Sequence, residues 1–293
     1  MLSVLIPTYN YNSFNLVKEL HEQLSKLNTV FEIICIDDGS KSRLNEFNQE
    51  INSLTHCSFS ELKENIGRSS IRNLLSKKAK YNWLLFLDAD VMPVNKNFIS
   101  KYVSKCILSK NVFCGGLKYI RSKENSNLLR YKYGVNYEEV GLKKRSNYPY
   151  KYFFTSNFLI SRDVFKEIQF EEKLRKYGRE DLLFSLNLKS KGFKIIHIKN
   201  EVYHLGIDDD MTFVSKTKQA MENVAFLDNE KLLFKEDSKS GLLRIVSLLK
   251  VVGISKTIGR LNHFFEKKAI KNSSLFYLNC LKVSYLCFLK EKI

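Results

Sequence analysis

Three predominantly apolar runs mark the first third of the chain: Leu2–Ile6, Phe31–Ile36 and Trp83–Leu87, with a weaker fourth at Cys57–Leu62. Runs without strict polar alternation predict strands covered on both faces. The segments between them change period. Phe14–Leu27 places Leu16, Val17, Leu20, Leu24 and Leu27 at helical spacing, and Leu44–Leu54 reads as a helix. Gly67–Lys78 sets Ile71, Leu74 and Leu75 on one helical face. Strands alternating with helices predict an α/β layer with a largely parallel sheet.

The middle of the chain is less regular. Phe98–Leu108 reads as a helix, Val112–Ile120 and Phe153–Ser161 as strands, and Asp163–Ile168 as a short helix. Glu180–Lys191 is an amphipathic helix stopped by Gly192. Lys194–Ile198 and Glu201–Leu205 are short strands. The character changes near Lys235: from Ser240 onward two apolar, basic segments have helical periodicity. The expected division is a catalytic domain over residues 1–235 and a helical appendage over 236–293.

Three of the first strands run into polar clusters: Pro7-Thr8-Tyr9-Asn10, Asp37-Asp38-Gly39-Ser40 and Asp88-Ala89-Asp90. Ligands of open α/β sheets bind beyond the carboxyl ends of the strands, so these clusters should converge on one crevice. Two carboxylates at i and i+2 of an extended segment point the same way and can share a hard cation such as Mg²⁺ or Mn²⁺. A solvated loop is the plainer reading of Asp88 and Asp90 alone. Glu180-Asp181 opens a helix, where acidic residues are favourable; the same carboxylates also suit a general base. His204 stands on a short strand as a structural residue or a metal ligand. In Asn65-Ile66-Gly67-Arg68-Ser69-Ser70-Ile71-Arg72, a helix start and Arg72 can meet a phosphate.

Charge sharpens the question of partners. The 293 residues carry a formal net charge of +17, which points to an anionic partner. Residues 236–293 hold eleven Lys/Arg against four Asp/Glu. Such basic, amphipathic helices suit an anionic membrane surface or another subunit. Residues 121–151 are basic and tyrosine-rich, with Arg121, Lys123, Arg130, Lys132, Lys143, Lys144, Arg145 and Lys151, and suit a flank of the acceptor site or a subunit contact. No apolar stretch approaches the roughly 18 residues of a spanning helix, and Met1–Asn10 lacks the basic start of a signal peptide. The six cysteines are scattered, without a CxxC, as expected of reduced thiols in a cytoplasmic protein.

Taken together, strand-PTYN, strand-DDGS, NIGRSSIRN, LLFLDAD and YGREDLLFSLNLKSKGFK followed by VYHLG resemble the family 2 glycosyltransferases, over about residues 1–207. The resemblance implies a GT-A fold, a mixed and mainly parallel sheet flanked by helices. It implies an inverting, metal-dependent transfer from a nucleotide-sugar, with UDP the leading nucleotide, to a hydroxyl of a glycan acceptor. A lipid-linked acceptor in bacterial surface-polysaccharide synthesis would explain the basic tail, placing the enzyme at the inner face of the cell membrane. Carried over by position, Pro7, Thr8 and Tyr9 would line the nucleotide pocket, with Asp37 on the base and Asp38 shaping its loop. Asn65 and Arg72 would reach the base or diphosphate, and Ala89 the nucleotide-sugar. Asp88 would approach ribose and metal, Asp90 would bind Mn²⁺ or Mg²⁺, and His204 would be a further ligand. Asp181 matches the catalytic base and Glu180 an acceptor-positioning residue. Many members carry an aromatic residue before this pair, where Arg179 stands here.

Two other classes fit the sequence less well. A nucleotidyltransferase would need an early glycine-rich phosphate loop, which PTYNYNSFN does not supply. A basic nucleic-acid-binding protein would leave the ordered acidic clusters without a purpose, so no nucleic-acid partner is expected; a homo-oligomer is compatible with the tail.

Overall fold

The computed structural model describes residues 1–106, 110–232 and 241–291. The helix expected over Phe98–Leu108 ends at Val103; the domain boundary expected between residues 235 and 236 lies outside the described residues. The chain forms two compact units. The first comprises Met1–Ile120, Glu138–Arg175 and Glu180–Gly206; the second comprises Arg121–Tyr137, Lys176–Arg179 and Ile207–Ile293.

The first unit is built on a seven-stranded sheet. Its strands are β1 (Leu2–Thr8), β2 (Phe31–Asp37), β3 (Cys57–Glu61), β4 (Trp83–Leu87), β6 (Val112–Cys114), β8 (Asn157–Ser161) and β9 (Ile195–His197), in the order β3-β2-β1-β4-β8-β6-β9. Pairing is parallel from β3 through β4, antiparallel on both sides of β8, and parallel again between β6 and β9. The apolar runs are strands because each buries both faces. On β1, Leu2, Val4 and Ile6 join one core layer, with Leu16, Val17 and Leu20 of the Phe14–Ser25 helix. Leu5 joins the opposite layer, with Ile71 and Leu75 of the Arg68–Lys78 helix. The expected mixed, mainly parallel sheet flanked by helices is therefore present.

A second, small sheet sits at the carboxyl ends. Its strands are β5 (Val91–Pro93), β7 (Leu117–Lys118) and β10 (Val202–His204), in the order β5-β10-β7. Antiparallel pairing sets His204 opposite Val91, one residue beyond Asp90. The expected single strand Val112–Ile120 is in fact β6 and β7, interrupted at Gly115-Gly116. A Cβ on Gly115 would meet the Asn200 carbonyl oxygen at 2.0 Å. This glycine lets the chain pass close to residue 200 and change sheets. The expected helix Leu44–Leu54 is a short α turn, Asn45–Asn48, continued as a 3₁₀ segment, Gln49–Ser53.

An aromatic layer supports the same end of the sheet. Phe86 of β4 stacks on Phe158 of β8 with centroids 4.9 Å apart. Phe170 stacks on Phe184 at 4.2 Å, and Phe184 belongs to the Glu180–Ser190 helix. Asn73 fixes the neighbouring loop by donating to the Phe170 carbonyl and accepting from its amide, both at 3.0 Å.

The second unit is helical. Asp210–Asn229, Leu242–Val251, Ser255–Arg260, Asn262–Asn272 and Leu275–Glu291 are its principal helices. Met221, Val224, Val246, Leu278, Leu281 and Leu286 form its core. No described helix is long and apolar enough to cross a membrane.

The turn after β2 depends on one glycine. Gly39 has φ +68°, and a Cβ there would lie 2.4 Å from the Glu64 carbonyl carbon. Gly192 has φ +76° with open space around it. Gly39→Ala should therefore cost at least about 2 kcal/mol of unfolding free energy, and Gly192→Ala about 1 kcal/mol. Urea unfolding of the two variants checks this; equal losses would contradict the close approach.

Candidate active site

Strand ends and turns bring the polar clusters together, but each cluster does a different job. Asp37 is fully buried and closes its own turn: one carboxylate oxygen accepts from the Ser40 amide and the other from the Ser40 hydroxyl, both at 2.7 Å. Asp38 reaches across to the next loop, accepting from the Ile66 amide at 2.8 Å and the Gly67 amide at 3.0 Å. Burial raises its carboxyl, and the charge of Asp37 adds to this, while the two amides oppose it. Asp38 thus sets the position of the Asn65-Ile66-Gly67 loop rather than of its own turn, which Asp37 closes. Asn65 is left exposed beside it.

The first cluster divides likewise. Thr8 points inward, its hydroxyl 2.9 Å from Cys35 Sγ and 3.3 Å from Ser13 Oγ. Its carbonyl accepts from the Asp38 amide at 2.8 Å, which ties the ends of β1 and β2 together. Pro7 is half-buried and Tyr9 is 58% exposed, free to meet a ligand. Tyr11, absent from the sequence reading, is partly buried; burial first, then the negative charge of Asp90, raises its phenol.

Asp88-Ala89-Asp90 is the central correction to the sequence reading. The segment is not extended: the chain turns at Ala89-Asp90 between β4 and β5, and Ala89 is buried. The two carboxylates consequently serve different partners. Asp88 Oδ1 accepts from Arg72 Nη2 at 2.5 Å, and Oδ2 lies 3.9 Å from Arg68 Nη2. Asp90 Oδ2 lies 3.6 Å from His204 Nε2. A Cβ on Gly206 would meet that same oxygen at 2.1 Å, so this position must be glycine for the carboxylate to sit there. The His204 ring stacks on Tyr119 at 5.6 Å. Among the described residues no group of three or more His, Cys, Asp or Glu is arranged to hold a metal ion. Asp90 and His204 form a pair, and Asp88 faces the arginines.

The same arginines hold Glu180, the first member of the acidic pair. Arg68 Nε donates to Glu180 Oε1 at 2.6 Å, and Arg72 Nη1 stands 3.9 Å from that oxygen. Arg72 also donates to the Arg68 carbonyl at 3.0 Å, and its guanidinium lies 5.7 Å above the Phe170 ring. Burial alone would raise both Asp88 and Glu180. The Arg72 and Arg68 charges outweigh it, and both carboxyls titrate below their ordinary range. Asp181, half-buried, opens the helix Glu180–Ser190 and accepts from the Leu182 amide at 2.7 Å. Arg68 escaped the sequence reading, although its spacing of four from Arg72 places both on one helical face.

His197 and Arg145 form a separate buried node. Arg145 donates to the Val140 carbonyl at 2.9 Å, and its Nη1 lies 3.0 Å from His197 Nδ1. With Nδ1 accepting, Nε2 donates to the Pro149 carbonyl at 2.9 Å. Burial and Arg145 push the imidazole down to about 4, so it is neutral. Arg145, first read as part of a basic surface, is internal.

Arg72→Met should be strongly pH-dependent. A depressed carboxyl contributes stability above its unfolded value, near 3.8 for Asp88 and 4.5 for Glu180, and loses it as pH falls through the folded value. The variant should lose about 3–5 kcal/mol at pH 7 by breaking a buried pair, and less at pH 3, below both unfolded values, where carboxyls left without Arg72 can take up protons instead of staying charged. Urea unfolding at both pH values checks this; equal losses would contradict it.

Comparison with known proteins now adds to the geometry. The profile described as Glycosyl transferase family 2 matches residues 3–169. Chondroitin synthase of Escherichia coli is 25% identical over 223 residues, covering 65% of this chain and 32% of that protein. Chondroitin synthase of Pasteurella multocida strain Pm70 is 24% identical over 229 residues, covering 67% of this chain and 24% of that protein. The chain thus spans a third or less of the length of these curated relatives. Among solved structures, S. aureus TarS is 19% identical with a TM-score of 0.51, covering 99% of this chain and 53% of that one. The mannosyltransferase PcManGT from Pyrobaculum calidifontis, in complex with GDP-Man and Mn²⁺, is 13% identical with a TM-score of 0.52, covering 100% and 88%. These likenesses bear out the GT-A fold, and the profile match spanning more than half of the residues establishes the family: the chain belongs to glycosyl transferase family 2.

Proposed function

We propose that the protein transfers a sugar from a nucleoside-diphosphate donor, with UDP the leading nucleotide, to a hydroxyl of a glycan acceptor, with inversion at the anomeric carbon. The observation that carries this reading is the meeting of the β4 end, the Arg68–Lys78 helix and the acidic pair around one cation cluster. Asp181 is the general base: its carboxylate takes the acceptor hydroxyl proton as the oxygen attacks the anomeric carbon. Glu180 orients the acceptor. Tyr9, Pro7, Asn65 and Ala89 line the nucleotide side, with Asp37 and Asp38 holding the loops on which they depend.

Asp90 and His204 suit a divalent cation. Gly206 leaves the space that the Asp90 carboxylate occupies, and one oxygen and one imidazole nitrogen 3.6 Å apart can share an ion. The imidazole favours Mn²⁺ over Mg²⁺, which prefers oxygen ligands. When bound, the ion neutralises charge that develops on the diphosphate leaving group.

The helical unit suits a membrane-borne acceptor. Between Gly241 and Asn272, seven Lys/Arg stand against one acidic residue, Glu266. Ile245, Leu248, Val251 and Val252 are exposed on one helix and its end, Val251 at 83%. Apolar and basic side chains presented together fit the interface of an anionic bilayer. On this reading the enzyme works at the inner membrane face, with a lipid-linked glycan as acceptor in surface-polysaccharide synthesis. The competing occupant is a second copy of the chain.

The test is a donor screen: purified protein, Mn²⁺ and a panel of UDP-, GDP-, dTDP- and CMP-sugars, following free nucleotide release with and without glycan acceptors. One donor should be consumed, and chelation or Asp90→Ala should stop it. Asp181→Asn should lower transfer by about 10²–10⁴-fold while UDP binding persists. Failure of the protein to bind any nucleoside diphosphate in the presence of Mn²⁺ would overturn the reading.

A further inference from the structure

The two arginines beside Glu180 are one helical turn apart and differ in exposure. Arg72 is 2% exposed. Asp88, the Arg68 carbonyl and the Phe170 ring fix its guanidinium on several sides. Arg68 lies at the first turn of the same helix, with its side chain 39% exposed, against 5% for Glu180. Its Nε holds Glu180 closely, while its Nη2 stands 3.9 Å from Asp88.

This arrangement leaves a second cation near both carboxylates if the outer one moves. If Arg68 turned away, Glu180 would still face Arg72 Nη1 at 3.9 Å, and Asp88 would keep its 2.5 Å bond to Arg72. Removing every cation from buried carboxylates would be the most costly; losing Arg68 alone deprives Glu180 of its 2.6 Å hydrogen bond, a cost that a contact to an incoming anion must offset. A guanidinium also matches a phosphate with two parallel N–H donors. On the same turn, the Ser69 hydroxyl and Arg72 Nε are buried without hydrogen-bond partners among the described residues. Unsatisfied buried donors are costly, and an incoming anion is one way to satisfy them.

We propose that Arg68 exchanges partners: it holds Glu180 in the free enzyme and turns onto the diphosphate when a nucleoside-diphosphate donor enters beside Asp88. The exchange releases Glu180 to the acceptor side, so that Glu180 becomes available only when the donor is in place. Arg68 is thus a positioning residue toward Glu180 and a ligand toward the donor. This inference rests on the proposed function, since it requires a diphosphate ligand.

Calorimetry on the full chain with Mn²⁺ tests it, using UDP, uridine and inorganic pyrophosphate as probes and Arg68→Ala and Arg68→Lys as variants. Arg68→Ala should weaken UDP and pyrophosphate binding about tenfold or more, the worth of a charged hydrogen bond, and leave uridine binding unchanged. Arg68→Lys should recover part of the loss, because it restores the charge without the fork. Unchanged UDP affinity in Arg68→Ala would overturn the exchange while leaving the transferase reading intact. Equal weakening of UDP and uridine would also overturn it, by making Arg68 a structural support. A wild-type protein that bound none of the probes would remove both readings together.

Discussion

Two carboxylates cannot be buried at the edge of a sheet unless cations are buried with them. Asp88 and Glu180 are 17% and 5% exposed, and come from parts of the sequence 92 positions apart. Arg72 joins them, and Arg68 reaches both. Most of the site's geometry follows from this requirement. The arginines must lie on one helix face, that helix must pack on the sheet, and its start must be fixed. Asp38 fixes it by holding the Ile66 and Gly67 amides.

The apolar core delivers these groups. Ile71 and Leu75 bury the inner face of the arginine-bearing helix against β1 and β4. Phe170 lies under Arg72 and stacks on Phe184, one turn along from Glu180. The aromatic layer therefore helps set the distance between Asp88 and Glu180, and packing errors there would be felt as electrostatic errors. The small sheet does the equivalent for Asp90: pairing of β5 with β10 brings His204 alongside, and Gly206 leaves the room.

Much of this was legible in the sequence because strands buried on both faces leave unmistakable runs. Trp83–Leu87 appears with the expected bounds, and the Arg68–Lys78 and Glu180–Ser190 helices begin within a residue of expectation. Strands of two or three residues carry little periodicity: β9 and β10 were legible, but β5 was not and β7 was merged with β6. The Asp88–Asp90 pair misled because i, i+2 spacing implies a shared face only in extended chain, and here the chain turns. Arg145 looked like surface charge because sequence alone does not distinguish a solvated arginine from one enclosed by carbonyl oxygens. Arg68 was missed for the opposite reason: its meaning appears only once Glu180, 112 positions later, is brought beside it.

The central claim is that Asp88 and Glu180 share their cations and therefore act as one unit. A double-mutant cycle measures this directly, with urea unfolding of Asp88→Asn, Glu180→Gln and the double variant at pH 7. Shared arginines predict that the two losses fail to add by about 1 kcal/mol or more, the range of residues in one ion-pair network. Losses that add within about 0.5 kcal/mol would show two independent carboxylates and contradict the account.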